Sequence, residues 1–104
     1  MTVALIAGRA VLIAHALEHL DEAIRYTLTL PATQPGIRGF LLGSIFPGVA
    51  TLDVAATGTD WPKIDRQTMI SLLAFIDANA ANDAAIARFY QQQRDSCAEM
   101  LNPS

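Results

Sequence analysis

The chain is poor in the residues that most often carry chemistry. It has one cysteine (Cys97), one lysine (Lys63) and one tryptophan in 104 residues. A lone cysteine closes no internal disulfide and has no CxxC partner for zinc or redox work. A reducing cytoplasm is therefore the expected compartment, and Cys97 reads as a half-buried helix residue. Seven Lys and Arg against ten Asp and Glu give a net charge of -3 and a pI near 5.1. No cluster of cations exists to track a phosphate backbone, which argues against a nucleic-acid partner. Strand-like alternation, repeats and low-complexity tracts are missing as well, so the expected fold class is all-α.

What the chain has in excess is apolar side chain. Hydrophobic residues make up 52% and charged residues 16%, with a mean hydropathy of +0.30. A single domain of this length can bury a core of its own, but that core holds fewer apolar groups than the composition offers. Some apolar surface is expected to face a partner, a membrane or further chain.

Four helices are predicted, over about 3–30, 37–56, 65–79 and 82–101, in one helical domain or fragment. In the first, Ala10, Ile13, Leu17, Leu20 and Ile24 share a stripe, with Arg9, Glu18, Glu22 and Arg25 off it. The run Ala10–Ala14 behind Arg9 has the look of a weak leader, yet the amphipathic pattern continues past it without a convincing cleavage site. Leu30-Pro31 ends this helix, because proline disfavours the helical conformation in the residue before it. The second helix is dominated by Gly36–Leu52, with three internal glycines and Pro47 and no charge from Gly39 to Leu52, closed by Asp53. It reads as a buried helix bent near Gly43 by Pro47. At roughly 21 Å, the uncharged part falls short of a bilayer core of roughly 30 Å. A peripheral membrane contact fits better than a span. Thr57–Pro62 is expected as a loop, Asp65 as the N-cap of the third helix, Asn79–Asp83 as an interruption, and Asn102-Pro103 as the close of the fourth helix.

Three polar patterns are candidates for chemistry. His15-Ala-Leu-Glu18-His19 matches H-x-x-E-H, which holds zinc between two histidines one helical turn apart, with Glu99 as an available third ligand. No substrate-binding pattern accompanies it, and a solvated helix face accounts for it better. Glu18 and Glu22 likewise read as solvated, and Asp53 as the helix emerging into water. Carboxylates at D-x-x-x-D or D-x-x-D spacing, which would aim at a shared magnesium cluster, do not occur.

Taken in order, Leu17-Glu-His-Leu-Asp-Glu-Ala-Ile-Arg-Tyr-Thr-Leu-Thr-Leu-Pro31, Gly36-Ile-Arg-Gly-Phe40, Ala50-Thr-Leu52 and Pro62-Lys-Ile-Asp-Arg66 resemble the C-terminal part of the squalene/phytoene synthase family. The likeness covers most of residues 15 to 90. It implies antiparallel helices from the C-terminal portion of a class I isoprenoid-synthase fold, whose members join two prenyl diphosphates using Mg²⁺. By that resemblance the second helix lines a prenyl tunnel, with Phe40, Ser44, Pro47 and Thr51 as its inward stripe. Lys63 and Arg66 fall near the diphosphate end. Asp65, and Ser44-Ile45, depart from the family pattern, and both aspartate-rich motifs are absent.

No catalytic residue or metal ligand is therefore assigned to this chain, and Mg²⁺ is implied only for the complete family site. The expected role is a fragment or subunit completed by an N-terminal synthase-like chain, binding prenyl diphosphate without turning it over alone. The alternative is a non-catalytic helical module that binds an apolar ligand, or a homo-oligomer joined through the second helix at Phe40 and Phe46.

Overall fold

A computed structural model describes residues 3–57 and 63–101, in four α-helices: α1 (Val3–Thr29), α2 (Pro35–Thr57), α3 (Arg66–Asn79) and α4 (Asp83–Leu101). The all-α class holds. The expected loop between α2 and α3 and the close of α4 at Asn102-Pro103 lie largely or wholly outside the described residues.

Local chemistry explains where the helices begin. Asp65 caps α3 with extended backbone, its carboxylate accepting from the Thr68 amide at 2.7 Å. Asn82 does the same for α4, accepting from the Ala85 amide at 3.1 Å. α2 starts at Pro35, two residues before the expected position, because proline at a first helical turn loses no hydrogen bond and already holds the helical φ. It then runs through Pro47 as one helix.

The chain runs up and down so that sequence neighbours are antiparallel. Gly48 of α2 faces Leu20 of α1, and Gly39 of α2 faces Ile76 of α3. α2 packs on all three other helices and α4 lies beneath it, while α1 and α3 do not touch each other. The cross-section is thus a flattened diamond with α2 and α4 on its short diagonal. Its centre holds Ile13, Leu17 and Ile24 of α1, Leu42, Phe46 and Val49 of α2, Leu72 and Ile76 of α3, and Ile86 and Tyr90 of α4. Three rings knit the α2, α3 and α4 contacts, with Phe46 edge-on to Phe75 (5.8 Å) and Phe89 (4.9 Å), and Phe75 stacked on Phe89 at 4.2 Å. Cys97 is fully buried rather than half-buried, because it continues the α4 face of Ile86 and Tyr90. Phe46 is also fully buried, so it serves the chain's own core and not a self-association surface.

Two polar clusters fasten the helix ends and flanks. Arg38, on the first turn of α2, is 1% exposed and donates to the carbonyls of Leu28 and Leu30 at the end of α1, to Ala80 after α3, and to the carboxylate of Asp83 at the start of α4. The guanidinium neutralises the negative ends of two helices and accounts for carbonyls that no amide follows. On the α1/α4 flank, Asp21 accepts from Arg94 Nε (2.8 Å), Arg94 Nη2 (2.9 Å) and the Tyr90 hydroxyl (2.6 Å).

Candidate functional site

The diamond leaves α2 open on one side. Its core-facing residues are Arg38, Leu42, Ile45, Phe46 and Val49. At 3.6 residues per turn, Phe40, Ser44, Pro47 and Thr51 lie on the opposite side. Phe40 is 79% exposed and Ser44 exposed, while Pro47 and Thr51 are half-buried, with the Thr51 hydroxyl donating to the Pro47 carbonyl at 2.8 Å. The stripe expected to point inward therefore points away from the chain's own core. α2 as a whole is not sealed in the bundle either. Only 28% of its most apolar stretch is buried.

The flanking helices extend this open side. On α1, Leu12 and Tyr26 lie on the flank away from Asp21, which meets α4. On α3, Ile70 and Leu73 lie on the flank away from Phe75, which also meets α4. Together with Ile37 and Phe40 of α2, these are all the large exposed hydrophobics of the described residues except Val11. The outer side of α4, by contrast, shows Arg88, Gln91, Gln92, Asp95 and Glu99 to solvent. The outer side of α4 is polar, whereas the α2 side gathers the large exposed hydrophobics, with His19 of α1 and Arg66 and Asp77 of α3 among them.

Three half-buried glycines lie along the part of α2 that borders this side. A methyl added at Gly43 would meet nothing within 4 Å, and those at Gly39 and Gly48 would make ordinary contacts at 3.7 Å. Close helix packing does not require any of the three. Gly39 and Gly48 lie where α2 meets α3 and α1, and only Gly43 borders open space.

Lys63 and Arg66 come together at one end of this side. A cleft of about 680 Å³ is lined by Lys63, Ile64, Asp65, Arg66, Met69 and Ile70. Ile70 thus belongs both to the cleft and to the apolar side. Asp65 is partly spent there, since its hydrogen bonds with Thr68 hold its carboxyl below the usual range. Lys63, Ile64 and Asp65 also border a second cleft of about 480 Å³, shared with Asp53, Gln93 and Ser96. Asp53 does not mark where α2 leaves for solvent. It is half-buried, accepts from the Ser96 hydroxyl at 3.3 Å, and α2 continues one turn beyond it.

The polar patterns of α1 stay on the surface. His15 and Glu18 are 3.7 Å apart with both side chains mostly exposed, and His19 and Glu22 are exposed. Among the described residues no group of three His, Cys, Asp or Glu is placed to hold a metal ion.

By length and composition, α2 over Pro35–Ala56 is the one helix among the described residues that would reach across a bilayer. It is longer than the uncharged run because it extends past Gly39 and Leu52 at both ends, taking in the buried Arg38 and the half-buried Asp53.

Sequence reasoning missed the two polar clusters. Arg38 stands alone in an otherwise uncharged stretch, and a single cation in such a stretch signals a buried partner. Asp21, Tyr90 and Arg94 are about seventy residues apart and carry no local signal. Comparison of the chain with protein-family models, curated proteins and solved structures finds no match, so the geometry of this side stands on its own.

Proposed function

We propose that this chain supplies the apolar wall and cationic rim of a site for a prenyl diphosphate, closed by another polypeptide that carries the catalytic carboxylates and their Mg²⁺. One observation carries the reading. The apolar side formed by Phe40, Ser44, Leu73 and Ile70 runs into a cleft bordered by Lys63 and Arg66. A ligand with a long hydrocarbon tail and an anionic head matches that order, with the tail removed from water and the head near two cations.

The chain performs no chemistry alone on this reading. An open apolar side excludes no water, and a carbocation generated on it would be quenched at once. Closure by further helices would both enclose the tail and bring the ionic groups to the Lys63 end. The likeness of Gly36-Ile-Arg-Gly-Phe40 and Lys63-Ile-Asp-Arg66 to the squalene/phytoene synthases gives the same direction to the ligand.

The test is binding of a non-hydrolysable farnesyl thiodiphosphate to the purified chain, compared with farnesol and with inorganic pyrophosphate. The thiodiphosphate should bind more tightly than either half alone. Lys63→Ala should weaken it, and Phe40→Ala should weaken both it and farnesol. Equal affinity for thiodiphosphate in all three proteins would refute the assignment.

A further inference from the structure

The outer flank of α3 carries Arg66, Ile70, Leu73 and Asp77, spaced four, three and four residues apart. All four are exposed, with Ile70 and Leu73 at 49% and 51%. Residues at i, i+4, i+7 and i+11 form one stripe on a helix, here about 16 Å from end to end. A cation closes one end, an anion the other, and two apolar side chains fill the middle. Among the described residues, the side chains of Arg66 and Asp77 have no ion-pair or hydrogen-bond partner.

The 4-3-4 spacing is unchanged when the helix is read backwards, but the charges exchange places. A second α3 laid antiparallel across this stripe therefore sets Asp77 against Arg66 at both ends and Ile70 against Leu73 at both inner positions. We propose that the α3 flank is the two-fold contact of a homodimer, with each Arg66 paired to Asp77 of the other copy. A two-fold contact needs a surface complementary to itself, and this stripe is.

Charge complementarity selects the occupant. A bilayer would cover Ile70 and Leu73 but would leave the Asp77 carboxylate facing lipid, a costly placement. A second copy satisfies both charged ends and both apolar positions at once. Stable interfaces bury roughly 1,200–2,000 Å² in total, more than one pair of 14-residue helices provides. Phe40 and Ile37, exposed on the same side of the molecule, enlarge the patch. A second copy covers Ile70, Leu73 and Phe40, which the prenyl reading also uses, so dimer and prenyl ligand occupy this side alternately and the dimer is tested without ligand.

The experiment is sedimentation equilibrium of the full chain, wild type and charge-reversed, with helicity followed by circular dichroism. The wild type should be a dimer at concentrations on the order of 100 µM. Arg66→Asp and Asp77→Arg should each weaken the dimer at least about tenfold, because each creates two like-charge pairs. The double variant R66D/D77R should recover most of the loss, since its pairs are restored with signs exchanged. A monomeric wild type would overturn the proposal. So would a dimer indifferent to both single reversals, or one that the double reversal fails to rescue while all variants keep wild-type helicity.

Discussion

Arg38 grips the carbonyl of Leu30 twice, through Nε at 3.1 Å and Nη2 at 2.8 Å, and so anchors the first turn of α2 to the last residues before the α1/α2 turn. The same guanidinium reaches Leu28, Ala80 and Asp83, making one side chain the common fastening of all four helices at that end of the molecule.

Removing that group leaves several carbonyls without a donor and a cavity where the side chain lay. Arg38→Ala should lower unfolding free energy by about 3–5 kcal/mol, the usual cost of breaking a buried charged network from one side. Arg38→Lys keeps the charge but loses the planar fork and should fall between the two. Asp83→Ala should cost less, about 1 kcal/mol, because the Asp83 side chain is 62% exposed and the backbone acceptors of Arg38 remain. Urea denaturation followed by circular dichroism checks the order. An Asp83→Ala loss equal to that of Arg38→Ala would show that the ion pair, not the carbonyl contacts, dominates.

The helix pattern was legible in the chain because its causes are local. Leu30-Pro31, Asp65 and Asn82 each stop or start a helix by chemistry within four residues, and boundaries fell within two residues of their places. The direction in which α2 faces was not legible. Gly36–Leu52 is apolar on nearly every side, so no stripe distinguishes inside from outside. Leu42, Ile45, Phe46 and Val49 are inward only because α1, α3 and α4 approach from their sides. Lys63 and Arg66 could be paired from sequence, being three residues apart at a helix start. The Arg66–Asp77 stripe was not legible because Leu73 shares the helical spacing of the α3 core residues, and only its exposure assigns it to the outer flank.

The orientation of α2 predicts opposite outcomes for two phenylalanines. Phe46→Ala should cost about 3–5 kcal/mol, since Phe46 is fully buried between Phe75 and Phe89. Phe40→Ser should leave monomer stability within about 0.5 kcal/mol, because a mostly exposed ring gains little from folding. Thermal denaturation of both variants decides. A large loss in Phe40→Ser measured at dilutions where the chain is monomeric would place that ring in the core and close the open side.

Gly43 offers a stabilising change. It sits within α2, and a methyl there meets open space, so Gly43→Ala should raise stability by roughly 0.5–1 kcal/mol by reducing the freedom of the unfolded chain. A loss of stability in the same denaturation measurement would mean that the methyl meets a neighbour after all. Under the proposed ligand reading, the added bulk should also weaken binding of the thiodiphosphate.

The Asp21 cluster sets the pH response. Burial pushes the Asp21 carboxyl up, but the hydrogen bonds from Arg94 and Tyr90 and the charges of Arg94 and Arg25 outweigh it, and the net effect is below the usual value of 3.8. A carboxyl lowered in the folded state contributes stability above its unfolded value and loses it as pH falls through the folded one. Tyr90 is displaced the other way. Its burial, then its hydrogen bond to Asp21 and the charge of that carboxylate, hold the phenol well above its ordinary value of 10. A phenol so raised contributes stability below pH 10 that disappears as pH climbs past it. Asp21→Asn should therefore cost about 1–2 kcal/mol near neutrality and flatten the stability profile below pH 4, while Tyr90→Phe should flatten it above pH 10. Urea midpoints across the pH range test both. An Asp21→Asn profile parallel to wild type in acid would show that Asp21 is not the group whose protonation loosens the α1/α4 flank.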